Sequence, residues 1–401
     1  MNFRKLSVRD LDVRGQRVFV RVDFNVPLRA GSVGDDTRLK ASLPTLQLLA
    51  ERKARIILAS HLGRPKGKKA QALSLAPVVD PLSTLLSRPV RMAADCVGPE
   101  VEGRVRDLAE GEILLLENLR FHEGEEANDP DFASQLAGLG NLFVNDAFGS
   151  AHRSHASVVG ITRHLSSSAA GLLLEREMEM LSRLREHHES PYIAVLGGAK
   201  VSDKMDLLHN LIGKVDAILI GGAMAYTFMK AKGMSVGASR IEQDKIEHAK
   251  VILARAQETG VGLHLPQDHV VAPSPEPGAT CRATRGVSIE KGMIALDIGP
   301  KTRESYRKEI ASARTIFWNG PLGMFEVPPY DEGTRAVADG IDTSRSFSVV
   351  GGGDSAAAVN ALDLGAHFNH VSTGGGASLE FLAGVDLPGI LALSRAKGGT
   401  A

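Results

Sequence analysis

The chain has 401 residues, of which 43% are hydrophobic and 23% charged, so it can bury more than one core and we expect two domains. Lysine plus arginine equals aspartate plus glutamate at 47 each, which excludes a global basic field for nucleic acid or an acidic membrane surface. The two cysteines, Cys96 and Cys281, are too few and too far apart for a disulfide framework or a zinc site.

The beginning of the chain, MNFRKLSVRD, lacks the apolar segment of a secretory signal. No apolar run approaches the roughly 20 residues that a membrane-spanning helix needs. We therefore expect a cytoplasmic protein that binds neither membranes nor nucleic acid.

Short apolar runs recur through the first half of the chain, with longer helix-like stretches between them. The runs are RVFVRVDF at 17–24, RIILAS at 55–60, EILLLEN at 112–118 and NLFVNDAF at 141–148. This alternation predicts parallel strands joined by helical crossovers.

Polar side chains follow each of these runs, where an open parallel sheet binds its ligands. They are Asp23, Asn25, His61, Arg64, Asn118, Arg120, Asn145 and Asp146, with Arg38 and Arg153 nearby. Because the arginine fork matches phosphate and carboxylate oxygens, several arginines at one sheet edge indicate a compact polyanionic ligand. A surface ion pair is the ordinary alternative for any single arginine, and Asn145 and Asp146 can instead cap the segment that follows.

A helical apolar stripe occupies residues 171–190, before Pro191 stops it. We place the junction between the two predicted domains there. A second set of strand-like runs follows, with YIAVLGG, AILIGG, VGLHLP, TIFWNG, FSVVGGG and HFNHVSTGG. The sequence therefore predicts the same α/β architecture twice.

Glycine clusters follow the runs of the second half. They are GGAKVSDK at 197–204, GGAMAYTF at 221–228, FWNGPLGMFE at 317–326, GGGDSAAAV at 351–359 and STGGGASLEFLAG at 372–384. Glycine lets backbone N–H groups approach phosphate oxygens at a helix N-terminus, although tight strand-to-helix packing demands the same residue. Asp354 offers a hard oxygen ligand for Mg²⁺. Lys200 and Lys204, four residues apart, are expected on one helical face as cationic donors.

Several common motifs are absent from the sequence. Neither a G-x-x-x-x-G-K-[ST] phosphate loop nor a G-x-G-x-x-G followed by an acidic residue occurs, which argues against a Walker-type NTPase and a common dinucleotide dehydrogenase. G-x-S-x-G and H-E-x-x-H are also missing, so hydrolysis by a serine nucleophile or by zinc has little support.

The quoted segments resemble the phosphoglycerate kinase family, in the family's order. They run from RVDFNVP at 21–27 through SHLGRP, LLENLRF and NDAFGSAHRSHAS to STGGGASLEFLAG, which ends at residue 384. The resemblance implies two Rossmann-like three-layer α/β/α domains with mostly parallel sheets, joined by a helix across a hinged cleft. It also implies a monomer that closes about its hinge and transfers a phosphoryl group in line between 1,3-bisphosphoglycerate and MgADP, giving 3-phosphoglycerate and MgATP.

The resemblance divides the chain into four segments. Residues 1–170 correspond to the phosphoglycerate-binding domain, 171–190 to the linking helix, 191–385 to the nucleotide-binding domain and 386–401 to a tail that packs on the first domain. In the first domain it implies substrate contacts at Asp23, Phe24, Asn25, Arg38, His61, Leu62, Gly63, Arg64, Arg120 and Arg153.

In the second domain the resemblance assigns Asp354 to the Mg²⁺ that accompanies ATP or ADP. Catalytic roles fall to Arg38, Lys200, Gly375 and Gly376. Nucleotide contacts fall to Gly198, Lys200, Lys204, Gly221, Gly222, Ala295, Asn319, Pro321, Glu326, Gly352, Gly353, Asp354 and Ser355. The sequence departs from the usual pattern at Ala295, where glycine is common, and at Ser355, where threonine is common.

Other functions remain open at this stage. One is a kinase that acts on another acyl phosphate or small carboxylate. A second is a non-catalytic, nucleotide-responsive protein of the same fold, against which the joint presence of Arg38, Lys200 and Asp354 argues. A dehydrogenase is a distant third.

Overall fold

The computed structural model describes residues 5–396, so parts of the segments expected at 1–170 and 386–401 lie outside the described residues. The chain divides into two compact units. The first comprises Met1–Glu179 and Asp386–Ala401, and the second comprises Met180–Val385. Within residues 5–396, no helix is long and apolar enough to cross a membrane.

The first unit is built on a parallel sheet. Its strands are β1 (Arg17–Arg21), β2 (Leu28–Arg29), β3 (Ser32–Val33), β4 (Arg55–Ala59), β5 (Val90–Met92), β6 (Ile113–Leu115), β7 (Leu142–Asn145) and β8 (Ser168–Ala170). Six of them form one sheet in the order β5-β6-β4-β1-β7-β8, in which all pairs are parallel. The short strands β2 and β3 form a separate antiparallel hairpin.

Helices connect these strands, as parallel pairing requires. They are α1 (Thr37–Glu51), α2 (Val79–Leu86), α3 (Pro99–Arg106), α4 (Glu123–Ala127), α5 (Pro130–Gly138) and α6 (Leu172–Glu186). Local sequence explains where α5 begins: Pro130 fits the first helical turn, and the Asp129 side chain accepts a hydrogen bond from the Phe132 N–H at 2.8 Å.

Both faces of the first sheet are buried. On strand β1, Val18 and Val20 belong to the main hydrophobic cluster, whereas Phe19 is buried on the opposite face and lies 6.3 Å from Phe143 between ring centroids. Strands covered on both sides read as continuous apolar runs, which is why the sequence locates β1, β4, β6 and β7 so clearly.

Helix α6 carries the chain from the first unit into the second. It spans Leu172–Glu186 and buries Leu174, Leu181 and Leu184, a spacing that matches the helical period. The boundary between the units falls inside this helix, between Glu179 and Met180.

The second unit repeats the pattern and adds a small antiparallel sheet. Its strands are β9 (Tyr192–Leu196), β10 (Ala217–Ile220), β11 (Gly262–His264), β12 (His269–Ala272), β13 (Arg282–Ala283), β14 (Ile294–Ile298), β15 (Thr315–Asn319), β16 (Phe347–Val350) and β17 (His370–Val371). The parallel sheet has the order β11-β10-β9-β15-β16-β17, and the antiparallel sheet the order β13-β12-β14. The predicted α/β class with mostly parallel sheets is confirmed.

The remaining helices follow the strands of the second unit, except for the last, which belongs to the first unit. They are α7 (Met205–Leu211), α8 (Met224–Ala231), α9 (Ile246–Thr259), α10 (Pro300–Ser312), α11 (Glu332–Ala338), α12 (Gly353–Ala361), α13 (Gly376–Leu382) and α14 (Pro388–Leu391). Beside α14, the Gly389 N–H donates to the carbonyl of Ala151, and the Leu6 N–H donates to the carbonyl of Ser394, both at 2.8 Å.

Candidate active site

The segments that follow three strands of the first unit are held together by hydrogen bonds. Asn25 Oδ1 accepts from the Gly63 N–H at 2.9 Å, and Arg120 Nη1 donates to the Gly63 carbonyl at 2.7 Å. Asn118 Nδ2 donates to the carbonyl of Leu62 at 2.7 Å. The carboxyl ends of β1, β4 and β6 thus form one continuous edge, here called the strand-end crevice, defined by residues 23–25, 61–64 and 118–120.

Two of the predicted arginines pair with carboxylates. Arg38 Nη1 lies 2.8 Å from Asp23 Oδ1, and Arg120 Nε lies 3.0 Å from Glu126 Oε1. Arg120 is buried apart from 3% of its surface, and burial, partly opposed by Glu126, lowers its pKa. Arginines that already hold a carboxylate are restrained in position, most strongly the buried Arg120, so they offer an ordered set of N–H donors.

The other two arginines of the set have no such partners. Within residues 5–396, the side chains of Arg64 and Arg153 form no ion pair and no hydrogen bond with protein groups. Arg64 is exposed and Arg153 is half-buried. Positive groups left unpaired beside other cations fit an anionic ligand.

The histidines beside these arginines are held neutral. Burial, followed by the charges of neighbouring arginines, lowers the pKa of His61 well below its ordinary value. The same causes lower the pKa of His155 to about 3, and burial followed by Arg153 lowers that of His152. The arginines that act on His61 are Arg21, Arg120, Arg38 and Arg153. Four guanidinium charges therefore act on His61, three of them from the predicted set and one, that of Arg21, from a residue that was not predicted.

The side chains of Asn145 and Asp146 accept hydrogen bonds from nearby backbone N–H groups, which was the alternative to a ligand contact. Asn145 Oδ1 accepts from the Ala147 N–H at 3.1 Å, and Asp146 Oδ1 accepts from the Leu173 N–H at 2.9 Å. Burial raises the pKa of Asp146 to about 7, although Thr45 and the backbone of α6 oppose the shift. Both side chains therefore have a structural use in the described residues.

The second unit contains a cavity of about 550 Å³ with a mainly apolar wall. Of the predicted nucleotide residues, Gly198, Gly222, Ala295, Pro321, Glu326 and Asp354 line it. Other lining residues were not among the predicted contacts, although some lie in the quoted glycine segments; they include Tyr226, Arg240, Ile294, Leu296, Met324 and Phe325. An apolar cavity with a few polar groups at its edge is the usual form of a small-molecule site.

The glycines near this cavity have two different uses. The N–H groups of Gly198, Gly221 and Gly222 donate to the carbonyls of Pro321, Leu196 and Leu322 at 2.8–2.9 Å. A Cβ at Gly221 would lie 2.4 Å from Leu322 Cδ2, and one at Gly222 would lie 2.5 Å from the Gly198 nitrogen. The N–H groups of these glycines are therefore paired within the protein, and Gly221 and Gly222 serve close packing, whereas their contact with the nucleotide stays a prediction.

A second group of glycines stands at helix N-termini. Gly352 and Gly353 begin α12, and Gly375 and Gly376 begin α13. Within residues 5–396 no acceptor is found for the N–H groups of these four glycines, whereas the Gly374 N–H donates to Ser372 Oγ at 3.1 Å. Free N–H groups at a helix N-terminus favour an anion.

Ser355 connects the end of β15 to the start of α12. Its hydroxyl accepts from the Gly320 N–H at 2.6 Å and donates to the Gly351 carbonyl at 2.7 Å. Asn319 Nδ2 donates to the same carbonyl at 2.6 Å, and Asn319 Oδ1 accepts from Lys204 Nζ. Because these bonds use only a hydroxyl, serine replaces threonine here without loss of a partner.

Lys200 and Lys204 do not share a helical face, which corrects the prediction. The 3-10 turn covers Ser202–Lys204 and helix α7 begins at Met205, so Lys200 lies before either helical segment. Within residues 5–396 the ammonium of Lys200 has no ion-pair partner, and the side chain is exposed. Lys204 is held by Asn319, and burial lowers its pKa despite the nearby charge of Asp354.

Glu242 is a functional candidate that the sequence did not reveal. It accepts hydrogen bonds from the Val201 N–H at 2.5 Å, the Ser202 N–H at 3.0 Å and the Ser202 hydroxyl at 2.6 Å. These bonds fix the segment directly after Lys200. A lone glutamate in a polar stretch carries no sequence signal for this role.

Comparison with known proteins agrees with this architecture. The family model described as phosphoglycerate kinase matches residues 8–385. A phosphoglycerate kinase of Solibacter usitatus is 54% identical over 395 residues, covering 97% of this chain and 99% of the relative. One of Chlorobium limicola is 49% identical over 395 residues, covering 98% of this chain and 100% of the relative.

Solved structures give the same result. Phosphoglycerate kinase from Coxiella burnetii superposes with a TM-score of 0.85 at 40% identity, covering 97% of this chain and 98% of that chain. The enzyme from Pyrococcus horikoshii gives a TM-score of 0.86 at 33% identity with the same coverage. The chain is accordingly a kinase, of the class that transfers a phosphoryl group to a carboxyl acceptor. It belongs to the phosphoglycerate kinase family.

Proposed function

We propose that the chain catalyses the reversible, Mg²⁺-dependent reaction of 1,3-bisphosphoglycerate with ADP to give 3-phosphoglycerate and ATP. The observation that carries this proposal is a pair of arginines whose side chains have no ion-pair or hydrogen-bond partner within residues 5–396: Arg64 in the strand-end crevice, and Arg153, whose charge acts on His61 in that crevice. A triose acid with a phosphate at one end supplies the negative charge that this crevice lacks.

We assign the acid to the first unit and the nucleotide to the second. Asp23, Asn25 and His61 orient the acid, and the arginines bind its anionic groups. The backbone of Phe24, Leu62 and Gly63 shapes the crevice wall, as their hydrogen bonds to Ser60, Asn118 and Asn25 support. In the second unit the apolar cavity beside Ala295 takes the base, and the helix N-termini at Gly353 and Gly376 receive the phosphates.

Asp354 fits a Mg²⁺ ion that arrives with the nucleotide. Its carboxylate is exposed, lines the cavity and stands in the first turn of α12. The ion, when bound, neutralises charge on the phosphate oxygens. Glu326, also exposed on this cavity, is assigned to contact with the nucleotide rather than with the metal.

The chemistry requires positioning and positive charge rather than a base. The acceptor is a carboxylate with a pKa of roughly 3.5, so it is already ionised at pH 7. In-line transfer then needs cationic and N–H donors around the equatorial oxygens of the phosphoryl group. We assign this work to Arg38, Lys200 and the N–H groups of Gly375 and Gly376.

A coupled assay of ATP-dependent phosphorylation of 3-phosphoglycerate, with and without Mg²⁺, tests the reaction. Arg38→Ala, Lys200→Ala and Asp354→Ala should each cost about 3 kcal/mol of transition-state stabilisation, or roughly a hundredfold in rate. Arg176→Ala and Lys308→Ala, which remove exposed cations paired within a helix, are matched controls that keep wild-type rates. Full activity in the three site variants would remove our assignment of roles, and no activity in the wild type would favour a non-catalytic nucleotide-binding protein.

The acid and nucleotide sites belong to different units, so we propose that domain closure about α6 precedes transfer. Small-angle scattering should show compaction only when both ligands are bound. We further propose a cytoplasmic monomer, which sedimentation equilibrium and cell fractionation test. Acetyl and carbamoyl phosphate, assayed with ADP, should be poor substrates because neither carries a second anionic end.

A further inference from the structure

Arg21, the last residue of strand β1, is fully buried directly behind the strand-end crevice. Its side chain has a relative exposure of 0%. The guanidinium donates to Ser157 Oγ at 2.9 Å, to the carbonyl of Val22 and, more weakly, to Ser150 Oγ at 3.4 Å. Its remaining contact is with His61 Nδ1, at 3.1 Å. A buried arginine with four partners holds one fixed orientation.

The contact between Arg21 and His61 determines the form of the histidine ring. A guanidinium group has only donors and does not lose its proton in proteins, so His61 Nδ1 must be the acceptor. The imidazole is then neutral, and its one proton is on Nε2. His61 is itself buried, with 6% exposure, and burial together with the surrounding arginines disfavours the imidazolium form.

The other ring nitrogen remains available. Within residues 5–396, His61 Nε2 has no hydrogen-bond partner, yet it is not one of the buried unpaired atoms of that part of the chain. Its N–H therefore reaches the solvent of the crevice. The site presents a neutral donor at this point, in contrast to the charged donors around it.

The buried carboxylate of Glu125 is linked to Arg21 through the Ser157 hydroxyl. Ser157 Oγ donates to Glu125 Oε1 at 2.6 Å while it accepts from Arg21, and the Ser157 N–H donates to Glu125 Oε2 at 2.9 Å. Glu125 has a relative exposure of 0%, and its charge opposes the lowering of the Arg21 pKa that burial causes. One chain of bonds thus runs from Glu125 through Ser157 and Arg21 to His61.

We infer that Arg21 is a positioning residue that fixes His61 as the Nε2–H tautomer and so aims one neutral N–H donor at the bound acid. The identity of the ligand rests on the proposed function, whereas the tautomer does not. Arg21 acts through His61 and does not touch the ligand. A purely structural arginine would stabilise the fold without controlling the proton on the ring.

The decisive measurement is the tautomer of His61 in the wild-type protein at pH 7. Long-range ¹H–¹⁵N correlation spectra of ¹⁵N-histidine-labelled protein distinguish Nε2–H, Nδ1–H and imidazolium rings, and the His61→Gln variant identifies the signal. We expect the Nε2–H pattern. An Nδ1–H or imidazolium pattern overturns the inference whatever the enzyme's activity.

Variants at position 21 then test the link to binding. Arg21→Met fills similar space without a donor, so the His61 ring should lose its single tautomer, and kcat/KM for 3-phosphoglycerate should fall about 10- to 100-fold. The KM for ATP should stay at the wild-type value. Arg21→Lys keeps one positively charged donor group. It should therefore show part of the Nε2–H signal and a smaller loss of kcat/KM for 3-phosphoglycerate than Arg21→Met.

Ser150→Ala is the matched control, because it removes a weak partner of Arg21 and leaves the contact with His61. It should retain the wild-type tautomer and KM. If Arg21→Met kept a single Nε2–H tautomer, Arg21 would be structural only. The same conclusion would follow if Arg21→Lys folded normally but its His61 ring lacked the Nε2–H tautomer. If wild type showed the Nε2–H ring but did not phosphorylate 3-phosphoglycerate, the proposed function would fail and the role of Arg21 would stand.

Discussion

Asp146 Oδ1 accepts a hydrogen bond from the backbone N–H of Leu173, the second residue of helix α6, at 2.9 Å. Asp146 directly follows strand β7, and α6 is the helix in which the chain leaves the first unit for the second. A Cβ at Gly171 would lie 2.1 Å from the same carboxyl oxygen, so the contact requires glycine there. The carboxyl end of β7 and helix α6 are thereby joined through one buried carboxyl group.

This carboxyl group should make stability depend on pH. Its pKa is raised from 3.8 to about 7 in the folded chain, mainly by burial. The folded state therefore holds a proton that the unfolded state has released, and stability falls as pH rises between these values. Asp146→Asn keeps an acceptor but cannot ionise. The free energy of unfolding of Asp146→Asn, relative to that of wild type, should therefore rise by about 1.4 kcal/mol for each pH unit between pH 3.8 and about 7.

Urea titrations at several pH values measure this difference, and Asp12→Asn, an exposed aspartate, is the control. A difference between Asp146→Asn and wild type that is constant from pH 4 to 7 would show that the buried carboxyl stays ionised.

Gly353→Ala tests whether phosphate approaches the backbone at the start of α12. A Cβ at Gly353 meets nothing within 4 Å and the residue has an ordinary φ, so the free protein should tolerate alanine. If a phosphate lies against this N–H, the added methyl group should raise the KM for ATP about tenfold, the cost of one weakened charged hydrogen bond. Gly365→Ala, which is equally unobstructed, should leave KM unchanged. Equal KM values in both variants would place the phosphates elsewhere.

Glu242→Gln should slow phosphoryl transfer, because it loosens the segment directly after Lys200. The carboxylate accepts three hydrogen bonds from Val201 and Ser202, and the amide can satisfy fewer of them. We expect kcat to fall about tenfold, corresponding to one lost charged hydrogen bond, with little change in the KM for 3-phosphoglycerate. Glu247→Gln, an exposed change in α9, serves as the control. An unaltered kcat would show that Lys200 does not depend on this anchor.

Arg153→Ala and Arg120→Ala should separate binding from stability. No group among residues 5–396 pairs with the Arg153 side chain, so alanine should change the free energy of unfolding by no more than about 0.5 kcal/mol while raising the KM for 3-phosphoglycerate. Arg120 is buried, donates a hydrogen bond to Gly63 and forms an ion pair with Glu126, so its loss should cost about 1–3 kcal/mol of stability as well. Thermal unfolding with steady-state kinetics measures both. A strongly destabilised Arg153→Ala would contradict its assignment as a ligand-only residue.

The strand-end edge was predictable because the strands are covered on both faces. The runs are mostly apolar, so the first polar residues beyond β1 and β4 mark the edge of the sheet. Arg64 was found in this way, and Arg153 was found because it lies shortly after the end of β7. Contacts inside the edge, such as that of Arg21 with His61, were not, because Arg21 reads as an ordinary strand residue.

The second unit was harder to predict. The antiparallel strands β12 and β14, which bring Ile294, Ala295 and Leu296 to the cavity, are short and interrupted by polar residues. The segment at Lys200 was wrongly predicted to be helical. The four-residue spacing of Lys200 and Lys204 does not show that the first helical turn begins only at Ser202, after Lys200. Glycine clusters likewise do not reveal whether an N–H is free, as the contrast between Gly222 and Gly353 shows.

The unpaired arginines give this formally neutral chain an uneven field. Its net charge is +0, yet four guanidinium groups act on His61. Long-range attraction of an anion depends on such local charge and not on the sum over the molecule. The association rate constant for a triose acid should therefore decline as ionic strength increases, although the protein as a whole would barely migrate in an electric field near neutral pH.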